Sequence, residues 1–227
     1  MTAKWIYLFD WDGTLINSLA VKIANLALLF SRELNVDAGA VGAAYPRHSG
    51  VPRRQLFDAI CTDCGVSILS DEQYNILSRA FTELNQSALS NPETPGIVAS
   101  DTRQALCDLR EQGCALYVSS AADYREIWTV ARSLGLGENF REILGSKPGF
   151  GKGKEHVDYV LGIEQASRGQ MVFVGDELND IRLARQAGVI TVAKAGTLPR
   201  EQLAEENPDY IIASLGELTG LFKPQPA

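Results

Sequence analysis

The sequence contains few of the side chains that bind soft metal ions, with only two histidines and four cysteines in 227 residues. A structural zinc site needs four such ligands, usually as two close pairs. Cys61 and Cys64 form one close pair, but Cys107 and Cys114 are too far apart to form a second. A catalytic Cys-x-x-Cys normally follows a strand, whereas this one ends an amphipathic stretch. We therefore expect ordinary reduced thiols.

Long apolar runs and clusters of basic residues are also missing. The first apolar run is too short for a signal peptide, and the stretch 15–30 is interrupted by Asn17, Lys22 and Asn25. We expect a cytoplasmic protein without membrane contact. The 21 basic and 28 acidic residues give a formal net charge of −7, without a run of Lys or Arg. This balance argues against nucleic acid as a partner.

Familiar metal and phosphate loops do not fit. Residues 10–13 begin like a calcium loop, yet Thr14 and Val21 stand where its third acid and its glutamate belong. The segment 149–155 resembles a P-loop, but it ends in Glu155 instead of Ser or Thr and does not follow the first strand.

Short apolar runs alternate with helical patterns. The runs predict buried strands at 5–9, 115–118, 171–174, 189–192 and 210–212. Amphipathic periodicity predicts helices at 97–112, 123–134, 154–165 and 178–186. This alternation is typical of an α/β fold with a doubly wound parallel sheet.

The interval between the first two strands is too long for a simple crossover. The strands end near Asp10 and Ser119, whereas a βαβ unit needs only about 30 residues. The interval contains helical patterns at 18–34, 52–64 and 70–89, then a Pro/Gly-rich hinge at 91–96. We therefore predict an α/β core domain at 1–16 and 92–227, and an inserted α-helical cap domain at 17–91.

Polar side chains follow three of the predicted strands. Asp10 and Asp12 follow the first, Ser119 ends the second, and Asp176 and Asp180 follow the third. Ligands of such sheets bind at the carboxyl ends of the strands. Four carboxylates converging there would repel one another unless a cation lies between them, and oxygen ligands suit Mg²⁺.

These motifs resemble the haloacid dehalogenase (HAD) superfamily, in the branch of phosphoglycolate phosphatase type with an α-helical C1-type cap. Residues 10–15 match its first motif, DxDGTL; residues 116–120 match the second, an apolar strand ending in Ser or Thr; and residues 174–180 match the fourth, GDxxND. The resemblance covers nearly the whole chain. It implies a HAD-like Rossmannoid core and Mg²⁺-dependent hydrolysis of a small phosphomonoester through an aspartyl-phosphate.

The resemblance also implies roles for individual acids. Asp10 would be the nucleophile, and Asp12 would protonate the leaving oxygen and then activate water. Asp10, the main-chain carbonyl of Asp12, and Asp176 would hold the metal, while Asp180 would orient Asp176 or a bound water. Ser119 and one lysine would hold the transferring phosphoryl oxygens.

Three lysines compete for that last role. Lys154 opens a predicted helix 22 positions before Asp176, Lys152 lies two residues earlier, and Lys147 is earlier still. We favour Lys154 as the catalytic lysine, then Lys152, then Lys147.

The remaining substrate contacts are expected at Thr14, Ser120, Lys152 and Arg53. In the cap, residues 47–54 concentrate positive charge, so Arg47, Arg53 or Arg54 could grip a substrate anion. Lys22 is expected to be a solvated surface residue.

The identity of residue 12 separates related chemistries. Dehalogenases and phosphonoacetaldehyde hydrolases of this superfamily lack a second aspartate there, so Asp12 favours a phosphatase acting on phosphoglycolate or a sugar phosphate. A phosphotransferase of the β-phosphoglucomutase type and a non-enzymatic phosphate-binding module stay open as alternatives. The sequence does not set the oligomeric state, and a monomer or a homodimer would fit.

Overall fold

The computed structural model describes residues 5–92 and 94–222. The ends of the predicted core domain, 1–4 and 223–227, and Glu93 of the predicted hinge lie outside the described residues.

Six parallel strands form one sheet in the order β3-β2-β1-β4-β5-β6. They are β1 (Ile6–Phe9), β2 (Ala115–Ser119), β3 (Glu142–Leu144), β4 (Met171–Gly175), β5 (Ile190–Lys194) and β6 (Tyr210–Ile212). Five of them were predicted. The edge strand β3 was not, because it begins with Glu142 and so contains only two consecutive apolar residues.

Helices cover both faces of the sheet. They are α5 (Thr102–Glu111), α6 (Tyr124–Ser133), α7 (Lys154–Glu164), α8 (Leu178–Ala187), α9 (Arg200–Ala204) and α10 (Leu218–Leu221). Tyr7 and Phe9 of β1 pack on the side of α5, α6 and α10, while Ile6 and Leu8 pack on the side of α7 and α8. Because both faces are buried, the strands are continuous apolar runs, and the doubly wound α/β prediction is confirmed.

Four helices separate β1 from α5: α1 (Leu19–Leu34), α2 (Ala38–His48), α3 (Arg53–Asp63) and α4 (Asp71–Leu89). Helix α2 was not predicted, since it is rich in Ala and Gly and contains Pro46. Phe57 packs against Phe30 and Phe81 at ring-centroid distances of 5.2 and 5.7 Å, in an apolar cluster distinct from those of the sheet. This separate cluster supports the division into cap and core, which stays a prediction.

Helix α5 begins at Thr102, five residues later than predicted; in the preceding segment Val98 forms an isolated bridge with Ile16, and residues 100–101 form a turn. No helix among residues 5–92 and 94–222 is long and apolar enough to cross a membrane.

Candidate active site

A cleft of about 690 Å³ lies between the carboxyl ends of the central strands and the cap helices. Its floor contains Asp10 after β1, Ser120 after β2 and Asp176 after β4. Parallel pairing of β1 with both β2 and β4 brings these three strand ends together. The predicted placement of the motifs at one edge of the sheet is therefore what the structure shows.

Three carboxylates converge beneath the cleft. Asp10, Asp176 and Asp180 each place one oxygen within 4.8 Å of the others, and all three side chains are buried. Asp180 lies in the first turn of α8, where its Oδ2 accepts the main-chain N–H groups of Asp176 and Glu177, both at 3.2 Å. The helix start thus fixes the orientation of the Asp180 carboxylate.

Burial and the neighbouring carboxylates disfavour charge on Asp10 and Asp176. Burial raises the pKa of Asp10 well above its usual range, against the opposing effect of Lys152 and with the help of the neighbouring acids. Burial and the charge of Asp180 raise the pKa of Asp176 to about 6. A cation between the carboxylates would remove this repulsion.

The residues present fit a hard divalent cation. Oδ2 of Asp176 is buried and has no hydrogen-bond partner among the described residues, while its Oδ1 accepts from Thr14 Oγ1 at 2.7 Å. A buried, unpaired carboxylate oxygen beside two other carboxylates is an arrangement that Mg²⁺ would satisfy. Asp10, Asp176 and Asp180 could therefore hold the metal.

Gly13 makes room for this cluster. Its φ is +81°, and a Cβ at this position would lie 2.0 Å from Asp176 Oδ2. Only glycine allows the turn after β1 to approach Asp176 so closely.

Lys152, rather than Lys154, is the lysine at the site. Its Nζ lies 2.7 Å from Asp10 Oδ1 and 2.5 Å from Asp180 Oδ1, and its side chain is buried. Burial opposes the charge of Lys152, but the two carboxylates outweigh it and raise its pKa above the usual range. The ammonium is therefore held charged beside Asp10.

The expectation for Lys154 is wrong. As the first residue of α7, it bonds Asp158 one turn later, on the exposed side of that helix. The turn at Gly153, with φ +103°, directs the preceding Lys152 inward. Lys147 packs on the ring of Phe150 instead.

The Asp12 carboxylate faces the cap, not the acidic cluster. Its Oδ1 accepts from Ser18 Oγ at 2.5 Å, and its Oδ2 accepts from Lys22 Nζ at 2.6 Å. The side chain of Asp12 thus lines the cleft, but it is not one of the three carboxylates that converge beneath it. The proposed role of its main-chain carbonyl stays a prediction.

Two hydroxyl groups lie elsewhere than expected. Ser119 Oγ lies 2.8 Å from His156 Nδ1 and is buried behind the sheet edge, so Ser120 alone of this pair lines the cleft. The preference for Ser119 is wrong because alternate residues of a strand face opposite sides. Thr14, expected to contact substrate, donates to Asp176 and orients it instead.

The cap wall of the cleft contains two cations, Lys22 and Arg53. The expectation that Lys22 is solvated is wrong, since it is buried and bonds both Asp12 and Glu126, the latter at 2.8 Å. Arg53 lies at the cleft as expected, with its Nη2 2.5 Å from Glu126 Oε2. Sequence reasoning missed Glu126, because a glutamate in an amphipathic helix is usually solvated.

The other cap arginines do not face the cleft. Arg47 pairs with Asp63, and Arg54 pairs with Asp58 and Asp71.

The loop between α2 and α3 closes over the cleft. Asn179 Nδ2 donates to the Gly50 carbonyl at 2.7 Å, and a Cβ on Gly50 would lie 2.1 Å from Glu177 Oε2. Burial and the charge of Asp180 raise the pKa of Glu177 to about 7. This contact explains why a glycine stands at position 50.

Comparisons with known proteins agree with these motifs. Residues 6–188 match the family model of haloacid dehalogenase-like hydrolases. The chain is 26% identical over 222 residues to a phosphoglycolate phosphatase of Pseudomonas syringae pv. syringae, covering 94% of this chain and 78% of the relative. It is 28% identical over 216 residues to the phosphoglycolate phosphatase of Mannheimia succiniciproducens, covering 92% and 94%.

Solved structures share the fold. A haloacid dehalogenase-like family hydrolase from Streptococcus pneumoniae superposes with a TM-score of 0.76 at 22% identity, covering 98% of this chain and 100% of that one. A β-phosphoglucomutase from Clostridium difficile gives a TM-score of 0.75 at 14% identity, covering 94% and 92%. With the family model matching most of its length, the chain belongs to the haloacid dehalogenase-like hydrolases.

Proposed function

We propose that this hydrolase, a phosphatase resembling phosphoglycolate phosphatases, hydrolyses a small phosphomonoester with Mg²⁺ through an aspartyl-phosphate. The observation that carries the proposal is the position of Asp10 on the cleft floor, beside the Lys152 ammonium and the other two acids. The cleft combines apolar walls with a few convergent polar groups, as small-molecule sites do. Phosphoglycolate and sugar phosphates are the substrate classes considered.

Asp10 would be the nucleophile. Its carboxylate oxygen forms a bond to phosphorus while the bond between phosphorus and the leaving oxygen breaks. Lys152 lies within 2.7 Å of that carboxylate and would neutralise a phosphoryl oxygen during transfer. Ser120 and the main-chain N–H groups of the turn at Gly13 would complete the phosphate site.

Mg²⁺ held by Asp10, Asp176 and Asp180 would supply charge neutralisation between the nucleophile and the phosphate. Asp12 lines the cleft from the cap side of Asp10. In this position it would give a proton to the leaving oxygen and later take one from the water that hydrolyses the aspartyl-phosphate.

We also propose a cytoplasmic location. The four cysteines are all free thiols, as expected for a reducing compartment. The acidic charge balance supports the absence of nucleic acid as a partner.

The test is Mg²⁺-dependent phosphate release from a panel of phosphomonoesters. Asp10→Asn should abolish release, while Asp158→Asn, which removes an acid on the exposed side of α7, should retain it. Normal turnover by Asp10→Asn would overturn the mechanism.

The same assay separates the alternatives. Isomerised sugar phosphate without free phosphate would indicate a phosphotransferase of the β-phosphoglucomutase type. Tight phosphate-ester binding without any turnover would indicate a binding module.

A further inference from the structure

The cap wall of the cleft offers two cations to a substrate, but both are already paired. Lys22 Nζ and Arg53 Nη2 lie 2.8 and 2.5 Å from the two carboxylate oxygens of Glu126. Glu126 comes from α6 of the core and has only 2% of its side-chain surface exposed. Glu126 therefore pairs with both cap cations, and together with Asp12, which bonds Lys22, it offsets their two positive charges.

The guanidinium of Arg53 has no freedom to turn toward a ligand. Its Nη1 donates to the Ser78 carbonyl at 3.0 Å, to Ser78 Oγ at 3.2 Å and to Thr82 Oγ1 at 2.6 Å. Its Cζ lies 5.2 Å from the centre of the Phe81 ring. One end of the guanidinium is thus held by α4 and the other by Glu126.

A substrate carboxylate would have to displace Glu126 to gain either cation. Displacement would break a buried ion pair of Glu126, whose other polar partner besides the cations is Asn85 Nδ2 at 3.4 Å, and breaking a buried ion pair is strongly destabilising. Lys22 Nζ also forms an ion pair with Asp12 Oδ2, 2.6 Å away. The arrangement therefore gives a second anion on the substrate little attraction.

The sum of the charges around the cleft also argues against binding of a second anionic group on the substrate. Among the described residues, six carboxylates surround it: Asp10, Asp12, Glu126, Asp176, Glu177 and Asp180. Four cations oppose them: Lys22, Arg53, Lys152 and, behind the Gly13 turn, Lys194. A divalent cation would bring the formal sum to zero before any phosphate enters, so no positive charge is left for a second acidic group.

The rest of the cap wall suits an uncharged group. Apart from Ser49 and Gly50, it consists of apolar side chains and one phenol, namely Leu19, Tyr45, Val51, Leu56 and Phe81. We propose that the enzyme, taking its proposed phosphatase function as given, prefers phosphomonoesters with an uncharged alcohol or sugar as leaving group over those with a carboxylate. Glu126 is the residue that sets this preference, by occupying both cap cations.

The test compares substrates that differ in one charge. Glycerol 3-phosphate and 3-phosphoglycerate form one matched pair, and 2-hydroxyethyl phosphate and phosphoglycolate form a second. With Mg²⁺, the ratio of kcat/KM should favour the neutral member of each pair by at least about tenfold, because an uncompensated like charge is strongly disfavoured. A ratio near one, or a preference for the carboxylates, would overturn the proposal.

Glu126→Gln removes the negative charge paired with Arg53 and one of the two paired with Lys22, so the cap wall becomes more positive by one charge. The ratio should then fall by about tenfold or more, chiefly through better use of the carboxylate member. Glu164→Gln is the matched control, because Glu164 is also buried and paired with an arginine, at the far end of α7. It should leave the ratio unchanged. An unchanged ratio in folded Glu126→Gln would show that Glu126 does not set the substrate preference.

Two further measurements separate failure of this proposal from failure of the variant or of the proposed function. The wild-type ratios decide the preference even if Glu126→Gln fails to fold. Absence of phosphate release from every ester, p-nitrophenyl phosphate included, would overturn the proposed function itself, whereas release with a carboxylate preference overturns only this inference.

Discussion

Lys152 Nζ lies 2.7 Å from Asp10 Oδ1, joining the loop before α7 to the end of β1. Both side chains are almost wholly buried, so the pair is held in one geometry. The proposed mechanism depends on this contact, because it places a permanent cation where a phosphoryl group would meet the nucleophile.

Replacing Lys152 with methionine should therefore lower kcat/KM by roughly 10²–10³-fold, as expected for loss of a group that stabilises transferring charge. Lys154→Met is the control, since Lys154 bonds Asp158 on the outside of α7. It should change kcat/KM by less than about twofold, in line with an exposed ion pair. Equal losses in the two variants would contradict the assignment of Lys152.

The site around these two lysines was only partly predictable from the sequence. The motifs after β1 and β4 predicted the acidic cluster, because strand ends in a parallel sheet meet at one edge. The spacing of lysines before α7 could not select between Lys152 and Lys154, because the choice depends on a turn at Gly153.

The ion pairs between cap and core residues could not be predicted from the sequence either. The partners of Glu126 are 73 and 104 positions away, and nothing near α6 marks it as buried. Ser119 and Ser120 were ambiguous for a related reason, since the point where β2 ends decides which hydroxyl faces the cleft.

Metal binding should depend on Asp176. Because Mg²⁺ would bind only the folded protein, it should stabilise the wild type by about 2.7 kcal/mol at one hundred times its dissociation constant. Asp176→Asn should lose most of that gain. The measurement is thermal unfolding with and without Mg²⁺, with Asp158→Asn as control. Full Mg²⁺ stabilisation of Asp176→Asn would contradict the assigned ligand set.

Glycine at position 13 should be required for activity beyond its effect on stability. Gly13 and Gly149 have φ of +81° and +73°, so alanine should strain each by roughly 1–2 kcal/mol. A Cβ at Gly13 would overlap Asp176, whereas one at Gly149 would meet nothing within 4 Å. Gly13→Ala should therefore lose activity while Gly149→Ala retains it. Steady-state kinetics on both folded variants decide this, and equal activity would contradict the close approach.

Protonation of His156 should weaken the fold in mild acid. Burial, then the charge of Lys152, lowers the pKa of His156 to about 4, whereas an unfolded histidine titrates near 6.5. Between these values the histidine binds more protons in the unfolded chain, so the contribution of His156 to the free energy of unfolding should fall as pH drops from 6.5 to 4, by up to about 1.4 kcal/mol per pH unit.

His156→Gln should remove this pH dependence, and His48→Gln, which changes the half-exposed second histidine, should preserve it. Urea unfolding at several pH values measures the difference. Parallel curves for wild type and His156→Gln would show that His156 is not the titrating group.

The proposed mechanism requires transfer of the phosphoryl group from the substrate to the Asp10 carboxylate. Rapid quenching of the enzyme with a ³²P-labelled phosphomonoester and Mg²⁺ should trap a hydroxylamine-sensitive acyl phosphate, and peptide mapping should locate the label on Asp10. Asp10→Asn should show no label. Rapid turnover of the wild type with no label on Asp10, under conditions that preserve acyl phosphates, would contradict the account.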